Sequence, residues 1–238
     1  MLDHTQAKLW RKVRKYGRFL QMVPFLEMVA VCNSLAMGQA DEDSDIDLFI
    51  IVKQGRLFTA RVLVTILMQI LGVRRYRHLV RERFCLSFFI DDSVMNFNHL
   101  QRGKDFYLAA WVKSLKPILD KVSADNGLFV SENFLDSNKE WLKSFDLSDL
   151  GIKIDRSFLL KDSRYFSIVR SCSEFIFRGR FGNFVENLLA RWQLKRARLK
   201  AEKLKNTDGI VITNNVLKFH NMDRRDEFNT KVLDDRSF

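Results

Sequence analysis

Val29-Ala30-Val31-Cys32-Asn33-Ser34, a connecting loop, and then Ser44-Asp45-Ile46-Asp47-Leu48-Phe49-Ile50-Ile51-Val52 form the stretch whose reading decides the fold. The second half is apolar and rich in β-branched residues, which predicts a strand over Asp45 to Val52. Side chains alternate along a strand, so Asp45 and Asp47 are expected on one face and Ile46 and Leu48 on the other. Two carboxylates side by side at the head of an apolar strand repel each other, and a bound divalent cation relieves that repulsion. The stretch therefore reads as a site as well as a strand.

Upstream, Leu9, Val13, Tyr16 and Leu20 recur at helical spacing within Thr5 to Gln21 and predict an amphipathic helix. Pro24 punctuates, and Phe25 to Cys32 reads as the first strand. Downstream, Arg56 to Leu71 is long and apolar enough for a helix covering the sheet, and Gly72 closes it. An arginine-rich segment from Arg74 to Arg83 leads into a third strand, Phe84 to Ile90, which ends at Asp91-Asp92. Alternation of strands and helices predicts a mixed α/β domain over residues 1–104.

The remainder, 105–238, reads as a mainly helical C-terminal domain. Helices are expected over Phe106 to Leu119, Asn138 to Phe145, Ser157 to Phe177 and Phe181 to Leu204. In the last, Leu194, Ala197, Ala201 and Leu204 form an apolar seam, while Arg191, Lys195 and Arg198 line another face. Ile210 to Thr213 is a short strand candidate, and the charged tail from Val216 reads as partly helical.

Composition narrows the class. With 47% hydrophobic residues, 21 Phe and only 2 Pro, the 238-residue chain is a compact protein rather than a disordered or modular one. A net charge of +11 favours anionic partners such as nucleotides or nucleic acid. Cys32, Cys85 and Cys172 are widely spaced, which suggests neither a disulfide framework nor a zinc site and fits a reduced, cytoplasmic setting. The apolar run Leu57 to Val73 carries Arg61, Thr65 and Gln69 and reads as a buried helix, so no membrane partner is expected. Asp41-x-Asp43-x-Asp45 lacks the Gly and Glu of a calcium loop, since Ile46 and Val52 hold those positions.

A strand ending in a small polar turn, followed after about ten residues by Ser-Asp-Ile-Asp-Leu-Phe-Ile-Ile-Val, resembles the signature of the DNA polymerase beta-type nucleotidyltransferases. The resemblance covers Val29 to Val52, with looser similarity beyond it to bacterial proteins carrying this domain. It implies a nucleotidyltransferase-like sheet in which Asp45 and Asp47 hold Mg²⁺ and act in catalysis while Asn33 and Ser34 bind the nucleotide. The donor would be a Mg-bound nucleoside triphosphate such as ATP, and the acceptor of the nucleoside monophosphate is left open among small molecule, protein and RNA. Asn33 stands where the family has glycine, and asparagine tolerates left-handed backbone. The family's third carboxylate has no match within Phe84 to Ile90, where Ser87 is central, which leaves Asp91 or Asp92 as candidates. A degenerate member that binds nucleotide or RNA without turnover is the alternative reading.

Overall fold

The computed structural model describes residues 4–76, 78–101, 105–145, 155–202 and 209–219. Within them the chain builds one mixed sheet of six strands with helices on both faces. Helix α1 (His4–Gly17) runs into a 3-10 turn at Arg18–Met22, and strand β1 (Leu26–Cys32) follows. A one-turn helix α2 (Asn33–Ala36) and a loop lead to β2 (Ile46–Val52), α3 (Leu57–Ile70) and β3 (Phe84–Asp91). Then come α4 (Phe106–Ser114), β4 (Lys116–Asp120), α5 (Val130–Ser137) and α6 (Lys139–Leu142). The long helices α7 (Arg164–Ile176) and α8 (Gly179–Ala201) precede the hairpin β5 (Ile210–Ile212) and β6 (Val216–Phe219).

Across the sheet the order is β4-β1-β2-β3-β6-β5. Strands β2 and β3 are parallel, joined by the α3 crossover, and the other neighbours are antiparallel. Strand β2 lies inside the sheet and every one of its residues is buried, which is why it reads as an apolar run.

The alternation read from β2 holds. Ile46, Leu48, Ile50 and Val52 belong to the core under α1 and α3, whereas Phe49 and Ile51 belong to the core under α4, α5 and α6. The second core centres on an aromatic cluster, in which Phe49 meets Phe88 at 5.0 Å, Trp111 at 5.1 Å and Phe134 at 5.3 Å between ring centroids. Tilted and edge-on rings at these separations add attraction to the area they bury.

Several expected boundaries shift. The helix expected over Phe106 to Leu119 stops at Ser114, because Pro117 disfavours helical backbone before it and lacks an N–H. Lys116–Asp120 instead forms an edge strand, where a proline is tolerated. The helix expected from Ser157 begins only at Arg164: Arg156–Phe158 make a 3-10 turn, and Leu160 N–H then donates to Ile118 O at 3.0 Å, which ties that segment to the β4 edge. In place of one helix over Asn138 to Phe145, two helices cover Val130–Ser137 and Lys139–Leu142. Val216–Phe219 is a strand rather than helix, so β4, β5 and β6 all reach the sheet from beyond residue 105. Of the α8 seam, Leu194, Ala197 and Ala201 are partly buried, and Leu204 lies outside the described residues. No helix among the described residues is long and apolar enough to cross a membrane.

Candidate functional site

The site forms where β1 ends and β2 begins. At the β1 terminus Cys32 pairs with Asp47, and Asp47 in turn pairs with Cys85 on the parallel strand β3. A register shift on β3 follows directly, so that Phe49 faces Phe88. Ser87 falls in that irregularity and not at a regular ladder position. Asp47 projects on the α4 face, where Asn33 reaches it and Trp111 reaches Asn33. The strand expected from Asp45 begins only at Ile46, and Asp45 stands just before it, with ligand atoms of the two carboxylates within 4.8 Å of each other. The loop before them is fixed locally: Ser44 Oγ donates to Asp41 Oδ1 at 2.7 Å and Asp43 N–H to the same oxygen at 3.1 Å.

Asn33 adopts the left-handed conformation, φ +57°, where the chain turns from β1 into α2. Its side chain then works in two directions. Asn33 Nδ2 donates to Asp47 Oδ2 at 2.8 Å, and Asn33 Oδ1 accepts from Trp111 Nε1 at 2.8 Å. The indole of α4 thereby orients the amide, and the amide orients the carboxylate. Ser34 follows on α2 and is partly exposed beside this turn.

Asp45 meets a cation supplied by the chain itself. Arg75 Nη1 donates to Asp45 Oδ2 at 2.6 Å and lies 3.8 Å from Cys85 Sγ. The carboxylates of Asp45 and Asp47 and the sulfur of Cys85 offer ligand atoms that all lie within 4.8 Å of one another. Burial and the nearby charge of Asp47 raise the Asp45 pKa, while Arg75 opposes both. Burial, followed by the charges of Asp47 and Asp45, pushes the Cys85 thiol far above its ordinary range. The Cys32 thiol rises for the same reasons, so neither cysteine is an activated nucleophile.

The structure brings Asn33, Ser34, Asp45 and Asp47 to one place but not Asp91 or Asp92. Asp91 pairs with Val52 at the far end of β2, six positions along β3 from Cys85, which is roughly 20 Å of strand. There it is occupied locally, accepting from Ser93 Oγ at 2.5 Å and from Asn215 Nδ2 at 2.9 Å. Asp92 Oδ1 accepts from Gln54 N–H at 2.8 Å. Neither completes the pair, and Cys85 occupies the adjacent-strand position instead. Neither Trp111 nor Cys85 carries a sequence signal for this place: Trp111 sits in an apolar helix and Cys85 in an apolar strand. Only the register of β3 against β2 exposes the Cys85 role, and a single strand does not carry that information.

Comparison with protein families, with curated proteins and with solved structures finds no match to this chain. The functional reading therefore rests on the geometry and on the motif.

Proposed function

We propose that the chain is a Mg²⁺-dependent nucleotidyltransferase of the DNA polymerase beta type, transferring a nucleoside monophosphate from a nucleoside triphosphate such as ATP to an acceptor. The observation that carries this reading is the Asp45 and Asp47 pair at the head of β2, whose ligand atoms lie within 4.8 Å of each other, with Asp47 tied through Asn33 to the turn that ends β1. Asparagine at φ +57° reproduces the backbone that glycine gives in the family the motif resembles.

Two carboxylates fit Mg²⁺, which is held by one or two such groups together with substrate phosphates. Cys85 does not extend that set, because a hard cation such as Mg²⁺ takes oxygen ligands. Asp45 and Asp47 would hold the ion, which when bound polarises the phosphates and stabilises charge on the attacking and leaving oxygens. Asn33 keeps Asp47 in position through its amide, and Ser34 offers a hydroxyl to the triphosphate. Arg75, 43% exposed on its outer side, presents planar donors to the pyrophosphate as negative charge grows there. The three free cysteines support a reducing, cytoplasmic setting.

A second reading has its own observation. The guanidinium of Arg75 already neutralises Asp45, and a thiol stands where a third carboxylate would be. Both favour a degenerate member that binds nucleotide or RNA without turnover. Labelled nucleoside triphosphates with and without Mg²⁺ separate the two readings. Metal-dependent transfer lost in Asp45→Asn with Asp47→Asn supports the enzyme, and nucleotide binding without transfer supports the alternative. Nucleotide binding that is absent, or unchanged in the double variant, overturns the site.

A further inference from the structure

Helix α8 packs Leu189, Ala190 and Leu194 against the core and is anchored there by polar groups as well. Its inward face carries polar groups: Glu186 Oε1 accepts from Phe58 N–H at 2.9 Å, and Glu186 Oε2 accepts from Thr59 N–H at 2.9 Å and Thr59 Oγ1 at 2.6 Å. One helical stripe further on, Gln193 Nε2 donates to Phe58 O at 3.0 Å and Gln193 Oε1 accepts from Arg61 Nη1 at 2.6 Å. These bonds hold α8 against the N-terminal turn of α3 and fix which side faces out. The outward side is apolar. Phe181, Phe184, Leu188, Trp192 and Leu199 recur at spacings of three, four, four and seven and are all exposed, Phe184 by 66% and Trp192 by 53%. Helix α7 behaves likewise, with Tyr165, Ile168 and Phe175 exposed, Phe175 by 79%, while its Glu174 turns inward to accept from Phe25 N–H at 3.1 Å.

Basic groups border the α8 stripe. At 100° per residue, Arg191 and Arg198 fall on one flank, Arg196 and Lys200 on the other, and Lys195 within it. The helix contains one acid, Glu186, and that acid is buried. Glu202 follows at the C-terminal end, and among the described residues no ion pair engages these cations. A basic border around Phe, Leu and Trp is the pattern of helices that lie in a lipid interface, with rings in the acyl boundary and cations at the headgroups. We propose that the outer face of α8 docks the protein onto an anionic membrane surface. Charge complementarity selects this occupant. A second copy of the chain would bring the same positive border against itself, and the phosphates of a nucleic acid would leave Leu188 and Leu199 without a partner. The proposal does not depend on the reading of Asp45 and Asp47.

The test uses the full chain with vesicles of phosphatidylcholine alone or mixed with phosphatidylglycerol. Trp10, Trp111 and Trp141 are buried, so a change in tryptophan emission on mixing reports Trp192. The expected result is co-sedimentation and a blue shift with the anionic vesicles and neither with the neutral ones. Phe184→Ser with Leu188→Ser, and separately Lys195→Glu with Arg198→Glu, should each weaken partitioning by about tenfold or more. Circular dichroism should be unchanged, because the altered side chains point outward. Absence of binding to anionic vesicles by the wild-type chain overturns the proposal. So does binding that both double variants retain, or a stable dimer whose Trp192 is already shielded and which ignores vesicles. Preference for single-stranded RNA over anionic vesicles in direct competition also overturns it.

Discussion

Both faces of the sheet carry an apolar core, but the outermost helices on the two sides are fastened by different means. On the site face, α4, α5 and α6 bury aromatic and aliphatic side chains against Phe49 and Phe88 and show solvent a mainly polar exterior. On the other side α1 and α3 bury an apolar core, and outside them α7 and α8 reach inward with acids that take up backbone N–H groups and leave rings outside. Apolar packing is proportional to area and tolerates small shifts, whereas a buried carboxylate is favourable only while its donors stay in place. The site thus rests on a close-packed base, and the outer helices are fastened at a few points.

Phe97→Ala gives the largest expected effect. This ring is fully buried and lies 5.0 Å from Phe134, 5.7 Å from Phe88 and 5.9 Å from Phe49 between centroids. Its removal should cost about 3–5 kcal/mol in urea-unfolding stability. Glu186→Ala comes next, at about 2–3 kcal/mol, since it strands the Phe58 and Thr59 N–H groups in a buried setting. The pair separates the faces if nucleotide affinity, measured in the folded variants, falls for Phe97→Ala and holds for Glu186→Ala. Equal effects on affinity would show that the faces are not independent.

Trp111→Phe sharpens the comparison within the site face. The ring stays, and with it most of the packing on Phe49 and Phe88, but Asn33 Oδ1 loses its donor. Stability should fall by about 1 kcal/mol. Nucleotide affinity should fall further than that stability change alone would produce, because Asn33 is free to turn away from Asp47. Titration of nucleotide into both proteins below the unfolding transition measures the difference.

What the sequence discloses follows the same division. Strand β2 is legible because burial on both faces leaves an unbroken apolar run with an acidic pair at its head. The turn at Asn33 is legible because few residues accept positive φ. The Cys85 position is not, since pairing with Asp47 arises only when a strand 38 residues away settles into parallel register. Strand β4 was hidden by helix-forming neighbours, and only its edge position makes Pro117 acceptable. On α8 the seam Leu194, Ala197 and Ala201 is legible from its spacing, whereas the exposed stripe beside it has the same helical spacing and only burial tells the two apart. The inward side of α8 holds Leu189, Ala190 and Leu194 as the usual rule requires, and the polar anchors Glu186 and Gln193 fasten it there, which leaves a second apolar stripe outside.

The smallest expected effect concerns a third polar fastening, and it is one that pH can release. Glu82 accepts from Lys12 Nζ at 2.7 Å and from Lys8 Nζ at 2.6 Å, which joins α1 to the segment carrying Arg75. The hydrogen bonds from Lys12 and then Lys8 draw the Glu82 pKa from 4.5 down to about 2. A carboxylate whose folded pKa is depressed adds stability above its unfolded pKa and loses it as pH falls through the folded one. The contribution should therefore be complete above pH 4.5 and gone once pH falls through about 2. Because this pair of contacts is near the surface, its size should stay below about 1 kcal/mol. Urea midpoints of the wild-type chain and Glu82→Gln should differ at neutral pH and converge across that window. A gap that persists unchanged at the acid end would mean that the lysines stabilise α1 through packing of their stems, and the contrast between a titrating face and an aromatic one would weaken accordingly.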